Sequence, residues 1–148
     1  MKVKLSRLWR DTGGASAVEF AAVLGPLLLL TFSVFEFGRL EWTREALQET
    51  ASAAARCMAM NSTSCASGGA YSSTNAVAYV KSVAGNWGVT LLDGNITLNN
   101  NTTCAGVSAP NGFSSATITY AFQSIVPNEV KALTGGASLS DTACFPNN

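Results

Sequence analysis

The sequence predicts an α+β protein in which a long N-terminal helix, apolar enough to cross a membrane, packs on a small antiparallel sheet domain. A basic segment precedes an apolar run, a helix-forming stretch continues that run, and short strand-like segments with turn residues between them follow. A chain of 148 residues has room for one such anchor and one small domain. We therefore expect a basic leader at residues 1–14, a long transmembrane helix at 15–57 and an extracytoplasmic α+β domain at 58–148.

The apolar run is the strongest single signal. Residues 20–35 carry no charge, and residues 15–35 are interrupted only by Glu19. A helix needs about 20 such residues to cross the hydrocarbon layer. Because four basic residues precede the run, the positive-inside rule places the N-terminus in the cytoplasm and the remainder outside. An ordinary secretory signal fits less well, since no small-x-small cleavage site follows the run.

The helix is expected to continue beyond the membrane. From Arg39 onward the sequence is rich in helix formers and contains neither proline nor glycine until after Met60. One helix over residues 16–57 would be roughly 60 Å long at 1.5 Å per residue. Its outer half is amphipathic and should bury one face on the folded domain. Gly25 and Pro26 interrupt the apolar run, and an inert kink and a softened helix both remain open there.

The remaining elements follow from shorter patterns. We expect a loop at residues 61–73, a helix that is capped by Ser73, Thr74 or Asn75 and ends at Gly85 or Gly88, and a hairpin of residues 89–92 and 96–98 around Asp93 and Gly94. The clearest strand covers residues 116–122, with Ile118, Tyr120 and Phe122 on one face. A short helix at 127–133 and a last edge strand at 137–144 complete the prediction.

The distribution of charge excludes several classes of function. Formal net charge is zero, but residues 1–14 carry four basic side chains and one acid, and the rest carries five basic and eight acidic side chains. The folded part is therefore acidic on balance and lacks the cationic surface that nucleic acid requires. The chain contains no histidine, which removes Ser-His and Cys-His nucleophiles. No motif surrounds its few acids, so we expect no enzyme, no metal and no cofactor.

The four cysteines predict disulfides. Cys57, Cys65, Cys104 and Cys144 lack the paired C-x2-C spacing of zinc modules. In an exported chain they are better explained as two disulfides than as four buried thiols. Three pairings exist, of which we favour Cys57–Cys65, a short local loop, together with Cys104–Cys144.

Glu19 is the most informative residue of the apolar run. A carboxylate at the centre of a bilayer costs about 2.5–3.5 kcal/mol, and less near its edge, so this one needs a partner. If a protease cuts after Gly14, Ala15 becomes a charged N-terminus four residues before Glu19 on the same helix. The carboxylate could then neutralise its own amine or that of an adjacent subunit. A second acid, Glu36, lies three residues before Arg39, and we expect a solvated interfacial pair there in preference to an inter-subunit contact.

These residues carry a resemblance to a known family. Residues 14–20, GASAVEF, resemble the G-x4-E-[FY] processing site of Tad (Flp) pilins and their TadE-like pseudopilins. Residues 35–39, FEFGR, and residues 53–56, AAAR, are similar to the TadE-type pattern that follows the membrane span. The resemblance covers residues 10–57. It implies a pilin-like fold, in which the long helix also serves assembly, and the additional outer domain points to a minor subunit.

The resemblance also implies sites and partners. An inner-membrane prepilin peptidase would cut between Gly14 and Ala15, and Glu19 and Phe20 would act in assembly. Other pilin and pseudopilin subunits and the Tad secretion machinery would be further partners. The protein would cross the bacterial inner membrane once, with its outer domain in the periplasm or, after assembly, in an extracellular pilus.

Two functions remain open at this point. The favoured one is a minor pilin or pseudopilin that is processed after Gly14 and takes part in Tad pilus assembly or adhesion. The alternative is an uncleaved, membrane-anchored periplasmic binding or adhesion domain. The sequence does not decide between a tip, priming or membrane-retained role.

Overall fold

The computed structural model describes residues 14–125 and 138–148. A long helix, α1 (Ala15–Ala59), is followed by a two-residue hairpin, β1 (Ala66–Ser67) and β2 (Ala70–Tyr71), and by a second helix, α2 (Ser73–Asn86). A short 3-10 turn at Asp93–Asn95 leads into β3 (Ile96–Thr102), β4 (Phe113–Ala121) and β5 (Ser138–Pro146). The predicted α+β class is confirmed. The basic leader and the short helix predicted at 127–133 lie outside the described residues, apart from Gly14.

Helix α1 is continuous over 45 residues, which corresponds to about 68 Å. It starts one residue earlier and ends two residues later than the predicted helix of residues 16–57. Pro26 lies inside it, and past this residue the hydroxyls of Thr31 and Ser33 donate to the carbonyls of Leu27 and Leu29 at 2.8 and 2.7 Å. These bonds satisfy both hydroxyls within the helix, as a lipid environment requires.

The three larger strands form one antiparallel sheet in the order β3-β4-β5. Ile118 on the central strand pairs with Ile96 on one side and with Asp141 on the other. The predicted alternation is confirmed, because Ile118 and Phe122 are buried whereas the Thr117 hydroxyl shares a hydrogen bond with Thr142 at 2.8 Å on the exposed face. The last strand lies at the sheet edge as expected.

The predicted hairpin around Asp93 and Gly94 is wrong. Residues 89–92 form no strand, and β3 pairs with β4 instead. The Leu92 N–H donates to Oδ1 of Asn95 at 3.0 Å, and the Asn95 N–H returns a bond to the Leu92 carbonyl. This local turn uses backbone groups that a cross-strand ladder would have needed, while Leu91 still reaches the core.

Two smaller expectations also change. The N-cap of α2 is Ser72, whose hydroxyl accepts from the Asn75 N–H, one residue before the predicted positions. The predicted loop contains the β1–β2 hairpin, whose turn has Gly68 and Gly69 at positive φ. Tyr71 at its end packs against the core, and burial raises the pKa of its hydroxyl.

The core lies where α1, α2 and the sheet meet. Small alanines on the outer half of α1 bring the sheet and α2 close to the helix backbone, and larger side chains fill the remaining space. The buried residues of α1 include Ala46, Leu47, Ala51, Ala54, Ala55 and Met58. Val80 of α2 and Ile118 of β4 meet them in one cluster. The amphipathic outer half of the helix therefore buries its apolar face, as predicted.

Both disulfides have the pairing that the sequence favoured. Cys57–Cys65 closes a loop of separation 8 at the end of α1, and its Cα atoms are 5.9 Å apart. Cys104–Cys144 spans 40 residues and joins the β3–β4 connection to the last strand, with Cα atoms 6.4 Å apart. One bridge therefore ties the end of α1 to the segment before β1, and the other ties the β3–β4 connection to β5.

Candidate functional site: the bare helix and its junction with the outer domain

The first half of α1 has no protein layer over it among the described residues. We call residues 16–35 the bare segment. Its large apolar side chains are exposed, namely Val18, Phe20, Val23, Leu27, Leu28, Leu29, Leu30, Phe32, Val34 and Phe35. Within the described ranges, one helix is long and apolar enough to cross a membrane, and none of its most apolar stretch is buried by the rest of the protein. Such a surface fits lipid or neighbouring apolar helices.

The predicted processing and assembly residues lie at the beginning of this segment. Gly14 is the N-cap of α1, and no side chain caps the helix. A Cβ added at Gly14 would meet no atom within 4 Å, so the 14–15 peptide bond stands apart from the folded domain. Glu19 and Phe20 are both exposed, and Glu19 follows Ala15 by one helical turn. The described residues supply no salt-bridge partner for Glu19.

The prediction for Glu36 is wrong in its surroundings. Its side chain is 0% exposed, although it forms the expected pair with Arg39, Nη1 to Oε2, at 2.8 Å. The chain that leaves β4 covers it: the Ile125 N–H donates to Oε1 at 3.3 Å. The Ser124 hydroxyl also faces this carboxylate, without reaching good hydrogen-bond geometry. The pair is therefore a buried tie between α1 and the sheet, and not a solvated surface pair.

Arg39 extends the same contact. Its guanidinium lies 5.3 Å from the centre of the Phe122 ring, within the range of a cation–π interaction. The side chain is 35% exposed, so part of the guanidinium faces solvent. Its backbone carbonyl accepts the Thr43 hydroxyl at 2.9 Å. Arg39 thus contacts both the buried acid and the end of β4 while keeping N–H groups at the surface.

Five residues further along, α1 repeats the pair without the burial. Arg44 and Glu41 have the same spacing and the same 2.8 Å separation, but the acid is 39% exposed and the base 54%. An exposed pair of this kind contributes about 0–1 kcal/mol. Breaking a buried pair costs more, because the remaining charge stays desolvated. The second pair is therefore a natural control for the first.

A groove opens beside this tie. We call it the junction groove; it has a volume of about 540 Å³ and is open to solvent along one side. It is lined by Val34, Phe35, Gly38, Arg39, Trp42, Thr43, Trp87, Gly88, Val89, Tyr120, Phe122 and Gln123. Trp42 and Trp87 form its aromatic wall in an edge-to-face pair with centroids 5.4 Å apart. The Trp42 indole N–H donates to the Trp87 carbonyl at 3.4 Å.

The side chains at this junction offer a cation, an aromatic pair and an apolar surface. No group of three or more histidine, cysteine, aspartate or glutamate side chains able to hold a metal occurs in the part of the chain that the structure describes. The sequence did not reveal the cover over Glu36 or the tryptophan pair. Ile125 lies 89 residues from Glu36, and no local pattern encodes that distance. The isolated acid in FEFGR was the one available signal.

Comparison with known proteins bears on the same stretch of chain. A protein-family model described as TadE-like protein matches residues 14–56. No curated protein and no solved structure matches the chain. The match begins at the N-cap of α1, covers the bare segment and the Glu36–Arg39 pair, and ends one residue before Cys57. The resemblance to TadE-like proteins that the sequence predicted is therefore confirmed over residues 14–56, the part of the chain that this family model matches.

Proposed function

We propose that this protein is a minor pilin or pseudopilin of the Tad (Flp) type, anchored in the bacterial inner membrane with its outer domain in the periplasm. It is processed after Gly14 by a prepilin peptidase and takes part in the assembly of a Tad pilus or in its adhesion. Its role is structural and not catalytic. Its partners are the other pilin and pseudopilin subunits and the Tad secretion machinery.

The observation that carries this proposal is the bare segment on a family-matched helix. The TadE-like match begins at Gly14, and the large apolar side chains of residues 16–35 have no protein cover among the described residues. A helix that is both exposed and apolar serves equally well in lipid and in a bundle of identical helices. A pilin needs both environments in turn.

Glu19 would set how neighbouring helices align along their axes in a pilus bundle. After cleavage, the new amine of Ala15 lies one turn away from an acid that has no salt-bridge partner among the described residues. An ammonium group from the same or an adjacent helix would neutralise it. The cost of a carboxylate in lipid, about 2.5–3.5 kcal/mol at the centre, would then favour helices that meet at this level.

The test is the mature N-terminus. The full chain is expressed with its peptidase, and the N-terminal peptide is identified by mass spectrometry. We expect the wild-type protein to begin at Ala15, and Gly14→Leu to retain the leader. Gly25→Leu is the control, because a Cβ at Gly25 also meets nothing within 4 Å and this site is far from the predicted cut. An intact leader on the wild-type chain would refute processing and favour the uncleaved, tethered domain.

A further inference from the structure

The junction groove lies at the level where the bare segment ends. If the span starts at Ala15, a hydrocarbon layer of about 30 Å is crossed within about 20 residues, so its outer boundary falls near Phe35. Arg39 then lies about 6 Å beyond that boundary and Trp42 about 10 Å beyond it. Headgroups extend a bilayer to about 40–45 Å in total. The groove therefore begins at the acyl boundary and continues through the headgroup layer.

The lining of the groove changes character along the same direction. Val34 and Phe35 form its inner end, where acyl chains would lie. Arg39 and Gln123 follow. Among the described residues, the Arg39 guanidinium bonds Glu36 through one nitrogen, which leaves its other N–H groups available to a ligand. Arginine has five such donors in a fixed geometry that matches phosphate. Trp42 lies at the outer end of the groove, and because side chains on a helix point back toward its N-terminus, the Trp42 indole extends toward the headgroup layer, where tryptophan concentrates in membrane proteins.

We propose that the junction groove binds one phospholipid of the outer leaflet, with its phosphate on Arg39 and the first part of an acyl chain along Val34 and Phe35. The volume of about 540 Å³ lies within the range of about 300–1,000 Å³ typical of ligand sites. The groove is continuous with the exposed apolar surface of the bare segment, so a lipid reaches it without leaving the bilayer.

A second copy of the chain fits the groove less well. Its bare segment carries one acid, Glu19, which lies about 30 Å along the helix from the level of Arg39. In helices that lie side by side, the uncharged residues 20–35 therefore offer no anion to the exposed part of Arg39. A phosphate supplies that anion, and the glycerol backbone supplies acceptors for Gln123. The chemistry of the lining therefore favours a lipid over an apolar helix.

The inference rests on the membrane anchoring in the proposed function, and its experiment separates the two. The full chain is reconstituted into vesicles of phosphatidylcholine that contain a phosphatidylcholine with a photoreactive diazirine at the top of its acyl chain. Flotation and carbonate extraction first establish insertion. After illumination, mass spectrometry maps the lipid adducts. We expect adducts on the groove residues around Arg39, Trp42 and Trp87 in addition to those along the bare segment.

Three variants test whether the labelling depends on the groove residues. Glu36→Gln with Arg39→Gln removes the cation without leaving a buried unpaired charge, and it should lower groove labelling several-fold. Glu41→Gln with Arg44→Gln removes the matched exposed pair and should leave it unchanged. Trp42→Gln, at an exposed position, is a second variant that keeps the buried pair and should also lower groove labelling.

The possible results distinguish the lipid site from the membrane anchoring. An inserted protein whose groove is unlabelled, or whose groove labelling survives both groove variants, overturns the lipid site and leaves the anchoring intact. In a parallel sample treated with a bifunctional cross-linker, cross-links between two copies at an otherwise unlabelled groove would assign it to a second subunit and overturn the lipid as well. A chain that fails to float with the vesicles refutes the anchoring itself.

Discussion

The backbone N–H of Ile125 donates a hydrogen bond to the carboxylate of Glu36, joining the chain that leaves β4 to α1 just beyond the bare segment. The same carboxylate holds Arg39, which in turn lies over Phe122. One buried acid thus fixes the outer domain to its helix from two directions. Because this contact joins α1 to the chain beyond β4, it helps to set the angle between the helix and the sheet.

Arg39→Gln should therefore destabilise the outer domain. Removing the base leaves Glu36 buried without its partner, which costs about 3–5 kcal/mol for a fully buried pair. We expect about 2–3 kcal/mol here, since a third of Arg39 is exposed. Urea unfolding of the full chain in detergent, followed by tryptophan fluorescence, measures the change. Arg44→Gln should shift stability by less than about 1 kcal/mol, and equal effects of the two variants would contradict the assigned burial.

The double change Glu36→Gln with Arg39→Gln should recover most of that loss. A glutamine amide still accepts the Ile125 N–H, and no charge remains in the buried position. The same urea titration gives the coupling between the two positions as a double-mutant cycle. A double variant as unstable as Arg39→Gln alone would show that the pair acts through packing and not through charge.

Glu19→Ala should separate processing from assembly. The peptidase site at Gly14 and Ala15 is unchanged, so the mature N-terminus should still appear by mass spectrometry. Helices that have lost the acid no longer match the new amine, and pili in the sheared surface fraction should fall strongly. Glu45→Ala, an exposed acid on the outer half of the same helix, should leave both readouts intact. Normal piliation by the Glu19 variant would remove the acid from the proposed assembly contact.

The two disulfides should contribute different amounts to the free energy of unfolding. Chain entropy predicts about 2.5 kcal/mol for the loop closed by Cys57–Cys65 and about 4 kcal/mol for that closed by Cys104–Cys144, from separations of 8 and 40 residues. Replacing each pair by alanine and comparing unfolding midpoints in detergent tests the order. The reverse order would mean that packing of the buried Cys65 sulfur outweighs loop closure.

Gly112→Ala should destabilise the β3–β4 connection by about 1–2 kcal/mol. Gly112 has a φ of +72°, and an added Cβ would collide with the Asn101 side chain. Gly94→Ala is the matched control, because its φ is not positive and its Cβ would meet nothing within 4 Å. Thermal unfolding of the full chain compares them. Equal midpoints would show that the loop rearranges without cost.

The sequence was most informative where a structural element depends on residues that are close together in the chain. The run of residues 20–35, the helix formers beyond Gly38 and the alternation around Ile118 each carry their own period, so the helix and the central strand were predictable. The cysteine pairing also followed, because only one pairing includes the short local loop. Glu36 was different: its environment depends on residues 124–125, which only folding brings near.

The hairpin error has a similar origin. Asp93-Gly94 is a good turn dipeptide in isolation, and Val89 and Leu91 alternate like a strand. Their alternation instead lets both reach the core from an irregular segment, while Asp93 pairs with Lys81 of α2 at 2.7 Å. This exposed pair contributes only about 0–1 kcal/mol, so the burial of Val89 and Leu91 and the Leu92–Asn95 turn account for the position of the segment. The turn dipeptide alone could not predict these contacts.

The exposure of the bare segment restricts how the subunit can move in the proposed assembly. Ten large apolar side chains stand uncovered between Ser16 and Phe35, and shielding each from water is worth about 1.5–3 kcal/mol. For a single molecule in water, the total free-energy cost of exposing these side chains would exceed the unfolding free energy of a typical small domain. In the proposed assembly the subunit should therefore pass directly from the bilayer into the pilus, with other helices replacing lipid around the bare segment before it meets water.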